Sequence, residues 1–320
     1  MKVLVTGGAG YIGSVCVEQL LNAGHEVTVF DHLEQGHRAA VDERANFIEG
    51  SLADPAQVLG VAEGAEAIIH FAAYTLVGES MTNPEKYFRN NVAHGLNLLE
   101  AAVVARVRKF VFSSTCATYG PPERVPMTED LPQRPISPYG ESKLMFEKML
   151  QWYRQIHGLE FVAFRYFNAA GASEKFGEDH RPETHLIPNI LRVALRKAPH
   201  FEIYGGDYPT PDGTCIRDYI HVIDLSDAHV LALAPGKQGF FNLGNGDGYS
   251  VREVHRACEK VAGGKIPAIE RPRRAGDPPK LVAAAEKAKS ELGWKPKFAK
   301  LEQIVASAWD WHRRNPDGYK

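Results

Sequence analysis

The sequence is poor in the features that mark several protein classes at once. Only four cysteines occur in 320 residues: Cys16, Cys116, Cys215 and Cys258. None forms a C-x-x-C pair, so free thiols in a reducing compartment are expected, not a disulfide scaffold. No charge sign dominates. The 37 basic and 39 acidic residues leave a formal net charge of -2 with no block of like sign, which provides no electrostatic footprint for nucleic acid or an anionic membrane. No apolar stretch approaches the roughly 20 residues that a membrane span needs. Met1-Lys2 runs directly into Val3-Leu4-Val5 and a glycine cluster, too short for a signal-peptide core. A cytoplasmic protein is expected, with neither nucleic acid nor membrane as a partner. His180 and His185 lie near Asp179 and Glu183. The helical H-E-x-x-H spacing and a cysteine partner are both missing, so no metal site is expected.

What is present suits a large α/β chain. Apolar residues make up 44% and charged residues 24%, enough for a full core and a solvated surface. Short apolar runs alternate with helical patterns: Lys2–Thr6, Glu26–Asp31, Phe47–Gly50, Ala67–Ala73, Lys109–Ser114 and Glu160–Tyr166 read as strands. Between them Ile12–Ala23, Pro55–Ala62, Pro84–Ala105 and Pro138–His157 read as helices, the third carrying a stripe of Val92, Leu96, Leu99 and Val103. Continuous apolar strands separated by helices predict a doubly wound parallel sheet covered on both faces. After residue 167 the rhythm loosens. Helices are expected over Leu186–Arg196, from Ser250 to Val261, and over Leu301–Arg313. The chain divides into a first lobe of residues 1–167 and a smaller α/β substrate lobe of 168–320, from which some segments can cross back.

The first strand opens into Thr6-Gly7-Gly8-Ala9-Gly10-Tyr11-Ile12-Gly13. This contains G-x-G-x-x-G (Gly8, Gly10, Gly13) and G-x-x-G-x-x-G (Gly7, Gly10, Gly13). Glycine lets the backbone approach a pyrophosphate, and the following helix offers free N–H groups and a positive dipole end. Asp31 ends the second strand, where a carboxylate can accept both ribose hydroxyls and would repel a 2′-phosphate. NAD is therefore the expected cofactor. Ser137-Pro138-Tyr139-Gly140-Glu141-Ser142-Lys143 starts a helix with Ser137 as N-cap. Tyr139 and Lys143, four apart, share one helix face. A nearby ammonium and an oxidised nicotinamide favour a phenolate, making Tyr139 a credible general base. The strand ending Phe112-Ser113-Ser114-Thr115 brings a hydroxyl that could bridge substrate and phenol.

Together with Asn90-Asn91-Val92, Arg165-Tyr166-Phe167-Asn168, Asp207-Tyr208-Pro209-Thr210-Pro211-Asp212-Gly213, Arg217-Asp218-Tyr219-Ile220-His221 and Arg273-Arg274-Ala275-Gly276-Asp277, these motifs resemble the extended short-chain dehydrogenase/reductase family, specifically its UDP-hexose 4-epimerases. The resemblance runs over nearly the whole chain. It implies a Rossmann-type fold, tightly bound NAD, and reversible 4-epimerisation of UDP-glucose and UDP-galactose through a 4-keto sugar. It assigns Tyr139, Lys143 and Thr115 to catalysis. It assigns Gly7, Gly10, Tyr11, Ile12, Gly13, Asp31, Ser51, Leu52, Phe71, Ala72, Asn91, Lys143 and Tyr166 to the cofactor. Thr115, Phe167, Asn168, Leu186, Tyr204, Arg217, Tyr219, Arg274 and Asp277 fall to the substrate, with the two arginines on the diphosphate.

The chain departs from that family at four positions. Ser51 stands where Asp is common, Thr75 where Lys is common, and Thr115 replaces Ser. Leu281 stands where some members carry a Tyr that blocks an N-acetyl group, so UDP-N-acetyl sugars are also expected to enter. Other readings stay open. A 4-epimerase of UDP-pentoses or UDP-uronic acids would use the same chemistry. A 4,6-dehydratase would need an Asp-Glu pair after Thr115, where Cys116-Ala117 stands. A non-catalytic NAD or nucleotide-sugar sensor would usually lack the Tyr or the Lys. Helices Pro84–Ala105 and Pro138–His157 are expected to build a homodimer through a four-helix bundle, although their apolar stripes could equally face the sheet.

Overall fold

The computed structural model of the chain describes residues 1–274 and 277–320. Ala275 and Gly276 of the Arg273–Asp277 motif lie outside the described residues. The strands are β1 Lys2–Thr6, β2 Glu26–Asp31, β3 Asn46–Glu49, β4 Ala67–His70, β5 Lys109–Thr115, β6 Glu160–Tyr166, β7 Asn168–Ala170, β8 Phe201–Tyr204, β9 Ile216–His221, β10 Gly239–Leu243, β11 Gly248–Ser250, β12 Ala268–Arg271 and β13 Lys280–Leu281. The helices are α1 Tyr11–Asn22, α2 Pro55–Ala62, α3 Val77–Ser80, α4 Pro84–Tyr87, α5 Gly95–Val104, α6 Pro138–His157, α7 Leu186–Ala194, α8 Val222–Ala232, α9 Val251–Ala262 and α10 Leu301–Arg314.

Seven strands form one all-parallel sheet in the order β10-β6-β5-β4-β1-β2-β3. Its strands read as unbroken apolar runs because each buries both faces. Val3, Val5, Val27, Val29, Ile69, Val111, Val162 and Phe164 pack on one face, against α1 and α8. Their neighbours Leu4, Phe30, Ile68, Phe110, Phe112, Phe161 and Ala163 pack on the other, against α2, α5 and α6. The alternation follows the two-residue strand period. Strand order reverses between β1 and β4, the place where ligands bind in open α/β sheets.

The C-terminal lobe has its own core. A small sheet carries β11-β9-β13 with β7 beside β9, β8 pairs with β12, and α7, α9 and α10 cover them. Residues 222–243 return to the first lobe. Helix α8 joins the core of α1, and β10 adds to the sheet beside β6, so the lobes share one framework. Sequence pattern alone anticipated neither element. Helix α8 is buried too evenly to show a stripe, and β10 is a short run whose partner lies about eighty residues earlier in the chain.

The expected single helix over 84–105 is three pieces. Helix α4 leads into a π-helical turn, Phe88–His94, and then into α5. A π turn inserts a residue and rotates the helix beyond it. The buried face of α5 is therefore Leu98, Leu99, Ala101 and Ala102, while Val92, Leu96 and Val103 of the expected stripe are only half-buried.

Candidate active site

The cleft lies above the C-terminal ends of β1, β4, β5 and β6. Its first wall is the glycine turn. Gly7 has φ +76° and a Cβ there would sit 2.4 Å from the Ala72 nitrogen; a Cβ on Gly13 would sit 2.2 Å from the Gly7 carbonyl oxygen. Both glycines are therefore required by packing of the turn itself. At Gly10 the nearest atom to an added Cβ is the Gly7 carbonyl oxygen at 3.4 Å, ordinary contact. Gly10 is the N-cap of α1 and brings no side-chain acceptor, and the first turn of α1 holds no acid. The N–H groups of that turn are thus left for an anion, and the turn fits a pyrophosphate. Asp31 orients the turn: its carboxylate accepts from the Ala9 N–H at 3.0 Å and the Leu33 N–H at 2.9 Å. Tyr11 uses its hydroxyl structurally, donating to the Gly171 carbonyl at 2.6 Å, so only its backbone remains for a ligand.

Phe71 and Ala72 leave β4 with their N–H groups on the Thr6 carbonyl at 2.9 and 3.1 Å, forming the floor between β1 and β4. Leu52 is buried under the other side. Ser51 is half-buried, and its hydroxyl accepts from the Ala53 N–H at 3.2 Å. Asn91 lies in the π turn and is buried. Its amide grips the Tyr74 backbone from both sides, at 2.9 and 3.0 Å, and donates to Ser142 on α6 at 3.1 Å.

Thr115, Tyr139, Lys143 and Tyr166 meet at the ends of β5 and β6. Helix α6 starts where the Ser137 hydroxyl accepts from the Gly140 N–H at 3.2 Å, and Gly158 in the left-handed region ends it. This fixes Tyr139 and Lys143 one turn apart over β5. Burial pushes the Tyr139 phenol up to about 12, with the Thr115 hydroxyl beside it pulling the other way. The Lys143 ammonium donates to the Ser113 carbonyl at 2.8 Å and sits over the Phe112 ring. Burial lowers its pKa to about 7. In the free chain the ammonium therefore faces the strand, and the hydroxyl of Thr115 is the phenol's supporting neighbour. Tyr166 donates to Nε2 of His229 at 2.5 Å, and Nδ1 of His229 donates to the Leu225 carbonyl at 2.9 Å. That neutral tautomer agrees with burial lowering His229 to about 4.

The opposite wall comes from the C-terminal lobe. Arg217 on β9 pairs with Asp277, and its other nitrogen donates to the Ile216 carbonyl at 2.8 Å. The Arg274 guanidinium stacks over the Tyr204 ring at 4.1 Å. Asn168 donates to the Asp218 carbonyl at 3.0 Å, and Tyr219 is buried in the same lobe core that Leu186 packs against. Phe167 packs with Cys116 and Leu281, immediately after Thr115. Leu281 pairs in register with Arg217 and packs against the cluster that holds Phe167 and Cys116, which sets Arg217 near the end of β5. The structure thus brings Arg217, with Asp277 paired to it, to the Phe167–Cys116 end of β5, next to Thr115.

Some supporting residues were not singled out from the sequence. Glu147, one turn beyond Lys143, accepts from Ser114 at 2.5 Å and Gln133 at 2.9 Å and pairs with Arg165 at 2.7 Å. Asp218 accepts from the N–H groups of Asn245, Gly246 and Ala283 at 2.8–3.0 Å, and so ties β9 to the ends of β10 and β13. Glu147 had a signal, an acid four residues after Lys143. His229 and Asp218 had none, since their partners are remote in sequence.

Residues 3–244 match the family model described as NAD dependent epimerase/dehydratase family. The UDP-glucose 4-epimerase of Lacticaseibacillus casei is 51% identical over 100% of this chain and 99% of its own length. A crystal structure of a UDP-glucose 4-epimerase superposes with a TM-score of 0.97 at 49% identity, covering 100% of both chains. The enzyme of that name from Bifidobacterium longum, crystallised with NAD+ and UDP, superposes with a TM-score of 0.95 at 38% identity, again over 100% of both chains. Similarity of this extent places the chain in the NAD-dependent epimerase/dehydratase family.

Proposed function

We propose that the chain interconverts UDP-glucose and UDP-galactose by inverting sugar C4, with NAD as a retained cofactor. The observation that carries this reading is the cleft itself. A buried phenol–hydroxyl–ammonium group (Tyr139, Thr115, Lys143) lies between an uncapped glycine turn and a wall of arginines. The N–H groups of the α1 turn and the Asp31 carboxylate would hold the cofactor's pyrophosphate and ribose. When bound, NAD supplies a hydride acceptor that later returns the same hydride.

The chain's residues do the rest. Tyr139, as phenolate, takes the proton of the C4 hydroxyl as C4 loses its hydride, and returns it after inversion. Thr115 bridges that hydroxyl and the phenol. Because burial holds the free phenol near 12, positive charge must arrive for the phenolate to form at neutral pH. Lys143 and the oxidised nicotinamide are the two sources. Arg217 and Arg274 grip the diphosphate and Asp277 the uridine ribose. Firm hold on this remote part leaves the 4-keto sugar free to turn its other face, and binding energy there supports the chemistry.

Leu281 packs beside Phe167 and Cys116 at the sugar end of the cleft, and its modest bulk supports entry of UDP-GlcNAc as well. On helix α6, Met145, Trp152 and Ile156 recur at spacings of seven and four and are exposed, as is Val104 at the end of α5. This apolar stripe supports a homodimer through α5 and α6. Among the described residues no helix is long and apolar enough to cross a membrane, and a cytoplasmic enzyme is the reading in keeping with the free thiols.

The test is NMR of the anomeric protons of UDP-galactose incubated with the purified protein, without and then with added NAD, and of UDP-GlcNAc in parallel. A UDP-glucose/UDP-galactose mixture is expected. Tyr139→Phe should lower kcat by about 10²- to 10⁴-fold while NAD binding survives. No conversion with NAD present, or full activity in Tyr139→Phe, overturns the reading.

A further inference from the structure

Between β7 and α7 the chain runs through a loop, residues 173–185, that the epimerase chemistry does not use. It brings together four potential ligands. Glu178, His180, Glu183 and His185 each offer one atom, and these atoms all lie within 4.8 Å of one another. The Nδ1 atoms of both imidazoles point at the carboxylates. His185 Nδ1 is 2.7 Å from Glu178 Oε1 and 3.2 Å from Glu183 Oε1. His180 Nδ1 is 3.2 Å from Glu178 Oε1 and 3.8 Å from Glu183 Oε2. We propose that these four side chains form a structural site for a divalent transition-metal ion, of which zinc is the type.

Two observations carry this beyond a cluster of charges. Glu178 is only 5% exposed, and its Oε1, like Nδ1 of His180, is buried without a hydrogen-bond partner. His180 Nδ1 lies 3.2 Å from that oxygen and His185 Nδ1 2.7 Å from it, contacts of ion-pair type and not formed hydrogen bonds. A cation held between them would satisfy both. Second, among the described residues no lysine or arginine pairs with Glu178 or Glu183. Their ion-pair partners are the two imidazoles. In the free chain both imidazoles are protonated in these pairs; a divalent ion would displace the two protons, and the two carboxylates would then balance its charge.

Bonds of about 2.0–2.2 Å in a tetrahedral site place ligand atoms about 3.3–3.6 Å apart; the four candidate atoms lie within 4.8 Å of one another, so small side-chain shifts would gather them round one ion. Two imidazoles with two carboxylates suit zinc and its neighbours, whereas magnesium and calcium call for all-oxygen shells. Four protein ligands close the shell, which is the mark of a structural site. The outer contacts agree. Glu183 Oε1 is oriented by the N–H groups of Thr184 and His185 at 2.7 and 2.8 Å. Asp179, inside the loop but outside the quartet, is spent on the Tyr319 N–H at 3.0 Å and on His37.

The position gives the site a role. The His180 ring packs edge-on against Tyr11, the first residue of α1, with centroids 6.1 Å apart. His185 is the N-cap of α7, next to Leu186, and makes no capping bond. A bound ion would therefore clamp the loop between the glycine turn and the helix that opens the substrate lobe. This reverses the expectation drawn from spacing alone: the ligands come from a folded loop, not from one face of a helix.

The test uses the full-length protein. Metal content as purified is read by mass spectrometry. The protein is then stripped with a chelator and titrated with Zn2+ in competition with a chromophoric chelator, with Co2+, Mg2+ and Ca2+ in parallel. One Zn2+ per chain, tetrahedral Co2+ absorption and a rise in Tm are expected, with no response to Mg2+ or Ca2+. His180→Ala and His185→Ala should each weaken Zn2+ at least about 100-fold, judged against the 10- to 100-fold that even outer-shell changes cost. His157→Ala, on α6, should leave it unchanged. Should either variant fail to fold, Glu183→Gln and the wild-type stoichiometry still decide. Absence of one-equivalent binding in the wild type, or unchanged affinity in the folded histidine and Glu183 variants, overturns the site and leaves two carboxylate–imidazole ion pairs.

Discussion

Replacing Arg165 by Met tests whether the active-site floor depends on one buried ion pair. The Arg165 guanidinium meets Glu147 twice, Nε to Oε1 at 3.0 Å and Nη2 to Oε2 at 2.7 Å, and both side chains are at most 4% exposed. Arg165 also donates to the Tyr119 hydroxyl at 2.8 Å and the Glu129 carbonyl at 3.2 Å. In Arg165→Met the Glu147 carboxylate keeps Ser114 and Gln133 but loses its ion-pair partner. Stranding a buried charge in this way costs about 3–5 kcal/mol. At about 2 °C per kcal/mol for a chain of this size, Tm should fall by about 6–10 °C. Adding Glu147→Leu removes the stranded charge, so the double variant should recover more than half of the loss. Thermal unfolding of the four proteins at one NAD concentration closes the cycle. A fall below about 2 °C in the single variant, or a double variant that loses the sum of both singles, would refute the argument. Because Ser114 precedes Thr115 and Glu147 follows Lys143 by one turn, kcat should fall with Tm in the single variant.

The same geometry sets further expectations. Gly13→Ala should destabilise the fold, since its Cβ would meet the Gly7 carbonyl oxygen at 2.2 Å, whereas Gly10→Ala at 3.4 Å should leave Tm within a few degrees but weaken NAD at least tenfold (roughly, from one lost N–H approach). The reverse ordering in calorimetry and NAD titration would sink the distinction between packing and ligand glycines. Burial lowers the Lys143 ammonium from 10.5 to about 7. Between those values the unfolded chain holds the proton and the folded chain does not, so cofactor-free stability should rise with pH across that window. Lys143→Met removes the slope, so it should exceed wild-type Tm near pH 7 and lose that advantage towards pH 10. A pH-independent difference would contradict the burial argument.

Much of the first lobe was legible because its signals are local. The continuous apolar run of β1, the Ser137-Pro138 start of α6 and its Gly158 stop each act within a few residues, and α2, α6, β2 and β6 fall where pattern placed them. Asp31 could be placed at the end of β2, and Tyr139 and Lys143 paired on one helix face, from local spacing alone. The sequence by itself therefore determined the sheet class, the glycine turn and the placing of Tyr139 and Lys143 on one face of α6. Only the tertiary structure decided that residues 222–243 return to complete the sheet, that a π turn rotates α5 away from its expected stripe, and that Lys143 rests on the Ser113 carbonyl. It also decided that Arg217 meets Asp277 and that four side chains of the 173–185 loop converge. These features depend on partners tens to more than a hundred residues apart. Their free energy comes from burial and pairing across the folded chain, which no window of local sequence contains.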